Sequence, residues 1–186
     1  MLAQPQPQEI LDSALDALET GNDWKAVLDR VPVPVYTTDA DGQVTYWNQA
    51  CVDFAGRTPE LGSDRWCVTW KLYTVEGEPL PHDRCPMAEA VRTKREIRGK
   101  VAIAMRPDGT RRAFRPYPTP IFENGRFAGA VNLLVDVTQE QAQDLAGQAA
   151  RCRRLARATT DAHASAILAS MAHEYAATAA TLSSAD

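Results

Sequence analysis

The side chains best suited to chemistry are few and dispersed in this chain. Among 186 residues there are four cysteines, Cys51, Cys67, Cys85 and Cys152, and three histidines, His82, His163 and His173. No two cysteines form a CxxC pair, and no Cys/His group has zinc spacing. Three histidines in total make a multi-histidine metal site unexpected, so no metal is assigned. GxSxG, GxxxxGK[ST], HExxH and paired-carboxylate spacings are all absent. No catalytic constellation emerges, and the reading is of a protein that is not an enzyme. Two chemistries remain open. Cys67 and Cys85 could form a redox pair if the fold brings them together, although their spacing alone says nothing. His82 and Cys85 carry the other ligating atoms, an imidazole nitrogen and a thiol sulfur. Each has a plainer reading. A free cysteine is most often a small buried hydrophobe. Pro81 and Asp83 make His82 look like a helix-entry residue.

Those residues need elements to position them, and the composition supports ordinary globular elements. Hydrophobic residues make up 45% and charged residues 24%, which excludes a mainly disordered chain. No apolar run approaches the ~18–20 residues of a membrane span. The start, MLAQPQPQEI, has no secretory pattern, so a cytoplasmic location with reduced thiols is expected. The net charge of -4 is unevenly spread. Residues 92–115 hold nine bases and two acids, net +7, inside an otherwise acidic chain. A strand face meeting acidic helices fits that pattern better than a nucleic-acid site, so nucleic acid is not expected as a partner.

Three parts follow one another. Residues 1–30 form a helical lead-in, with Ile10, Leu11, Ala14, Leu15 and Leu18 at helical spacing. Gly21-Asn22 breaks it, and Asn22 or Asp23 caps a second short helix through Leu28. Residues 31–138 alternate like a sheet. Strands are predicted at Val33–Thr38, Val44–Trp47, Lys100–Arg106, Thr110–Phe122 and Phe127–Val137. Pro116, Pro118 and Pro120 weaken the fourth. The fifth is apolar on both faces, with Phe127, Val131, Leu133 and Val135 on one side and Ala128, Ala130 and Leu134 on the other. Such a strand needs cover on both sides. Asn48 caps a helix that Gly56 ends, and Asp83 opens a second helix over 84–95. Residues 139–186 read as an Ala-rich helical hairpin. Ala142, Leu145, Ala149, Cys152, Ala156 and Thr159 mark one seam; Leu168, Met171, Tyr175, Thr178 and Leu182 mark the other. Small seam residues bury little area, so this hairpin needs a partner.

The order of these elements resembles a PAS domain over about residues 31–140. Tyr36-Thr37-Thr38-Asp39-Ala40-Asp41-Gly42-Gln43-Val44-Thr45-Tyr46-Trp47-Asn48 is similar to the opening hairpin with its capping Asn. Arg106-Pro107-Asp108-Gly109-Thr110 is similar to a later turn. Asp136-Val137-Thr138 is similar to the Asp-x-Thr junction that leads into a signalling helix. Trp66–Tyr73, Pro81–Met87 and Pro116–Pro120 resemble a bacterial subgroup often fused to sensor histidine kinases. The resemblance implies an α+β PAS fold. That fold is a five-stranded antiparallel sheet with helices on one face, here with added N-terminal helices and a C-terminal hairpin.

The resemblance also implies a sensory, signal-transducing function, with a ligand held between sheet and helices. The candidate pocket residues are Phe54, Trp66, Trp70, Tyr73, Met87, Val101, Ile103, Met105, Phe114, Val131 and Leu133. A simply filled core is the alternative. Asp136 and Thr138 are the candidate signal junction. In haem-binding PAS proteins the helix after the position of His82 supplies the haem ligand, so the resemblance makes His82, and more weakly the sulfur of Cys85, a haem-ligand candidate. Neither Cys51 nor Cys67 sits in the Asn-Cys-Arg-Phe-like stretch of a flavin photosensor, and the cofactor is left unknown. His173-Glu174 partly resembles a histidine-kinase phosphoacceptor box, without the Arg-Thr-Pro-Leu that follows there. Phosphotransfer through His173 by a kinase in trans is therefore an alternative function, and a ligand-free adaptor is another. The expected partners are a second copy, packed through the outer face of the last strand, and a histidine kinase or other signalling protein.

Overall fold

In the computed structural model, residues 6–19 and 23–183 are described; Gly21 and Asn22, and the side chain of Leu18, lie outside that set. Helices α1 (Pro7–Glu19) and α2 (Trp24–Asp29) lead in. Asp23 caps α2, its carboxylate accepting from the Ala26 N–H at 3.3 Å. Then come β1 (Val35–Asp39), β2 (Val44–Trp47), α3 (Gln49–Ala55), β3 (Lys71–Tyr73), a 3-10 turn (His82–Arg84) and α4 (Pro86–Thr93). Four strands follow: β4 (Ala102–Met105), β5 (Arg111–Pro116), β6 (Thr119–Glu123) and β7 (Arg126–Asp136). Helices α5 (Thr138–Ala158) and α6 (Ala162–Ser183) end the described chain.

The sheet is antiparallel, in the order β2-β1-β7-β5-β4-β3, with β6 paired to β7 beside β5. It has seven strands where five are expected from the sequence. The extra two have plain causes. Pro116 and Pro118 cannot donate to a ladder, so the expected Thr110–Phe122 strand breaks into β5 and β6 around Tyr117. The loop-rich stretch also contributes β3, which pairs with β4.

The sheet divides the apolar residues into three clusters. The first lies under α3 and α4 and contains Tyr36, Phe54, Met87, Ala102, Ala104, Phe114, Ala130 and Leu134. The second lies on the opposite face, under α1 and α2, with Leu11, Ala14, Leu28, Val35, Tyr46, Val131 and Leu133. The third lies on that same outer face under the hairpin, with Ile103, Ala113, Val137, Ala142, Leu145, Ala179 and Leu182. Strand β7 contributes to both faces, as a doubly buried strand must. The outer face of the last strand is therefore covered by the chain's own terminal helices. It is not open to a second copy, as the sequence suggested.

One strand detail departs from simple alternation. Ile121 pairs with Gly129 but Phe122 pairs with Phe127, so one step on β6 spans two on β7. That bulge shifts Phe127 to the α3/α4 side, where it packs on the first cluster. Alternation alone places it with Val131. Gly129 is required nearby, because a Cβ there would lie 1.9 Å from the Thr38 carbonyl oxygen.

The hairpin seam on α5 is the predicted one: Ala142, Leu145, Ala149 and Cys152 are buried. On α6 the seam is turned slightly. Ala172, Ala179 and Leu182 are buried, and Met171 is 38% exposed. Two alanines let the helices approach closely where Met171 and Thr178 would hold them apart.

Candidate functional site

The helix α3 begins where sequence places it. Asn48 Oδ1 accepts from the Cys51 N–H at 3.3 Å, and Gly56 ends the helix with φ 65°. The Asn48 amide does more than cap. Its oxygen also accepts from Val35 N at 3.0 Å. Its nitrogen donates to the carbonyls of Leu28, Val31 and Val33 at 3.2, 3.2 and 2.9 Å. A single buried side chain thus ties α2, β1 and α3 together.

The inner core contains a chain of polar groups. The Tyr36 hydroxyl donates to the Trp66 carbonyl at 3.0 Å and accepts from Asn132 Nδ2 at 3.0 Å. Asn132 Oδ1 accepts from Tyr117 N at 3.0 Å. Cys85 Sγ lies 3.8 Å from the same Trp66 carbonyl, and Cys67 Sγ lies 3.1 Å from Thr69 Oγ1. The fold does bring Cys67 and Cys85 to one region, as members of one buried cluster. Their chemistry is quiet. Burial pushes the Cys85 thiol up to about 12 and raises Cys67, although the Thr69 hydrogen bonds pull Cys67 down. Burial likewise pushes Cys51 up to about 12. The Tyr36 hydroxyl is raised well above its ordinary value by burial. Protonated, enclosed thiols are poor nucleophiles.

The predicted pocket residues do not line one chamber. Phe54, Met87 and Phe114 meet in the inner core, with Phe54 and Phe114 edge to face at 5.5 Å and Trp66 packed against the cluster. Val101, Ile103 and Tyr73 belong under the hairpin, and Val131 and Leu133 belong under α1 and α2. Met105 is half-buried at the end of β4, and Trp70 is 42% exposed, with Lys71 Nζ 4.1 Å from its ring centroid. The reason is strand parity. On β4 the small residues Ala102 and Ala104 face α3 and α4. Val101 and Ile103 face outward, where the hairpin covers them. Tyr36 and Asn132 are the inner-core residues the sequence reading missed. Asn132 had a legible signal: a lone amide within an apolar strand must find partners.

His82 is half-buried at the start of the 3-10 turn, outside α4. Burial lowers its pKa, and its Nε2 is enclosed without a hydrogen-bond partner. With Trp70, Leu72, Tyr73, Pro79 and Pro81 it lines an open cleft of about 290 Å³. His173 is exposed on α6.

The junction residues do come together. Asp136 Oδ1 accepts from Thr138 N at 2.9 Å and Thr138 Oγ1 at 2.6 Å, which turns the chain into α5. Its other oxygen meets Arg112 Nη1 at 2.9 Å. Thr138 Oγ1 receives the Ala113 N–H at 3.1 Å, and α5's Glu140 meets Arg115 at 2.9 Å. Burial pushes the Asp136 carboxyl up, but the Thr138 and Arg112 contacts outweigh it and hold its pKa low. Two arginines of the basic segment therefore hold the start of the exit helix, as the charge pattern suggests. Arg112, Asp136, Gln139, Gln143 and Leu182 border a cavity of about 560 Å³ there.

Among the described residues no group of three or more His, Cys, Asp or Glu is placed to hold a metal ion, and no helix is long and apolar enough to cross a membrane. A family model described as PAS fold matches residues 28–142. No curated protein matches the chain. Among solved structures, a LOV protein of Rhodobacter sphaeroides is 18% identical with TM-score 0.49, covering 96% of this chain and 97% of that one. A PAS domain from Colwellia psychrerythraea is 20% identical with TM-score 0.44, covering 67% and 99%. A LOV domain of the Erythrobacter litoralis blue-light activated histidine kinase is 20% identical with TM-score 0.44, covering 57% and 97%.

Proposed function

The chain belongs to the PAS fold family, and from that premise we propose a sensory module. In this reading a small ligand acts on the inner core, and the change leaves through Asp136-Val137-Thr138 into α5 and α6, which act on a second copy or on a signalling protein such as a histidine kinase. One observation carries it. Strand β7 is shared: Ala130 and Leu134 pack in the inner core, Val131 and Leu133 support α1, and Val135 packs against the cluster beneath the hairpin. A displacement of the inner core cannot leave that strand and the helices it carries in place. A ligand-driven signal is favoured over a redox one, because Cys67 and Cys85 are buried and held protonated.

The test is native mass spectrometry of purified protein, with hydrogen exchange along α5 before and after the retained molecule is removed. A bound small molecule whose removal changes exchange at 138–145 supports the reading. No bound molecule after screening of metabolite mixtures, with exchange at α5 unaltered by any of them, refutes it. A ligand-free adaptor is then the better description, and the tightly enclosed Tyr36, Met87 and Phe114 already favour it as the second reading. Phosphotransfer rests on His173 alone and requires that His173→Gln abolish labelling by a kinase in trans.

A further inference from the structure

The α5/α6 hairpin touches the rest of the molecule over only part of its length. The helix residues in the cluster beneath it are Ala142, Leu145, Tyr175, Ala179 and Leu182. All lie in the half nearest the junction. The distal half, Arg151–Ala158 with Ala162–Met171, belongs to none of the three clusters. Its loop is closed by Ser165 Oγ donating to the Ala156 carbonyl at 2.9 Å.

The apolar stripe on α6 does not stop where the sheet stops. Leu182 and Tyr175 meet the sheet-side cluster. Met171 and Ile167 continue the same line at four-residue steps and are 38% and 49% exposed. Leu155, on the facing turn of α5, is 47% exposed. Helical periodicity places it on the same side of the seam as Ile167 and Met171. The other large exposed hydrophobics, Val27, Leu61, Trp70 and Phe122, are scattered over other elements. Charge points the same way. Across 22 residues α6 carries a single formal charge, Glu174, whereas the wet side of a helix ordinarily carries several. The distal half of α5 has Arg151, Arg153, Arg154 and Arg157, all exposed. Of these, Arg153, Arg154 and Arg157 fall on its far side by the same periodicity, away from the stripe.

We propose that this overhanging face, Leu155, Ile167 and Met171, docks on the same face of a second copy, tip against tip about a two-fold axis. The sheets sit on the same side of each hairpin at its base, so the hairpins must run antiparallel with only their tips overlapping. The overlap is about 15 Å long and two helices wide. It buries on the order of 1,000 Å² in total, the lower limit for a specific interface. The dimer is therefore weak and concentration-dependent, and a small change at the helix bases reorients it, which suits a relay. The proposal rests on the dimeric form of the sensory reading, but not on any ligand.

Sedimentation velocity on the whole chain, from about 5 µM to 1 mM, tests it. The expected result is a monomer–dimer equilibrium within that range. Ile167→Glu and Met171→Glu weaken it at least tenfold while thermal melts stay unchanged, and Phe122→Glu, on β6, leaves it intact. A monomer throughout the range overturns the proposal. So does a dimer that Ile167→Glu and Met171→Glu leave intact, although that second result keeps a dimeric sensor by another surface. Ligand binding is read separately by mass spectrometry, so failure of the interface and failure of the sensory reading are distinguishable.

Discussion

Replacing Asn48 with Ala removes five hydrogen bonds at once, to Val35 N, Cys51 N and the carbonyls of Leu28, Val31 and Val33. The side chain is 1% exposed, so water does not substitute for it. Loss of an N-cap alone costs about 1 kcal/mol. A buried donor or acceptor left without a partner costs about 1–3 kcal/mol. The Val35 N–H and at least one carbonyl are stranded, so the expected loss is about 3–5 kcal/mol. For a chain of this size that is a fall in Tm of roughly 6–20 °C. Urea titration followed by circular dichroism measures it, and the midpoint should fall with little change in slope. Asn48→Asp separates the two ends of the amide. It keeps the cap oxygen but removes the donors and sets a carboxylate against three carbonyls, so it should be no better than Ala. A loss under about 1 kcal/mol for Ala, or an Asp variant as stable as the parent, refutes the reading of Asn48 as a joint between lead-in and core.

The remaining predictions concern backbone approach, thiols and pH. Gly129→Ala drives a Cβ into the Thr38 carbonyl, with no flexible side chain to give way; it should destabilise the fold by more than ~3 kcal/mol, and near-normal stability in the same urea assay would refute the close approach. Cys51, Cys67 and Cys85 are buried, with thiols raised; a thiol reagent should label them only as the protein unfolds, and a Cys67–Cys85 disulfide formed by peroxide in the folded state would reinstate the redox reading. The folded state holds His82 neutral by burial. Its contribution is therefore fully present above the ordinary value of 6.5 and is lost as pH falls from there towards the lowered folded value; stability should drop on acidification below 6.5, and His82→Gln should flatten that dependence. Asp136 acts lower on the scale. Its contribution is present above 3.8 and is lost as pH falls through its depressed folded value, so hydrogen exchange at the start of α5 should accelerate there, and Arg112→Ala should bring the acceleration to higher pH.

The elements legible in the sequence are those fixed by short-range chemistry. The Asn48 cap, the Gly56 stop, the Asp136-Thr138 turn and the α5 seam each depend on residues within a few positions of one another. What was not legible depends on what covers each face. Ile103 and Val131 look like chamber walls because bulky residues usually face a core. Here both sheet faces are cores, and only the packing of the terminal helices reveals that Ala102 and Ala104 face α3 and α4. Phe127 misleads for a related reason, since a one-residue bulge reverses side-chain parity beyond it and nothing local announces the bulge except Gly129. The α6 seam is misjudged because Met171 and Ala172 are adjacent, and close helix approach favours the smaller of the two.

The same arrangement makes the terminal helices part of the fold's energetics. If they were passive appendages, the outer face of β7 would carry polar residues, as a solvated antiparallel face does. Instead Val131 and Leu133 are 0% and 1% exposed beneath α1 and α2, and Ile103 is 0% exposed in the cluster shared with the hairpin. Stripping either helical unit from the sheet exposes these side chains, at about 1.5–3 kcal/mol for each fully buried one. A signal that loosens the hairpin must therefore slide or tilt it while keeping those contacts, and cannot release it into solvent. Two ion pairs, Arg112–Asp136 and Arg115–Glu140, hold the junction through partly exposed side chains of β5, where each is worth ~1 kcal/mol or less. They are weak enough to be rearranged while the buried apolar contacts persist, so the output motion should pivot at the junction and grow toward the exposed tip that carries Leu155 and Ile167.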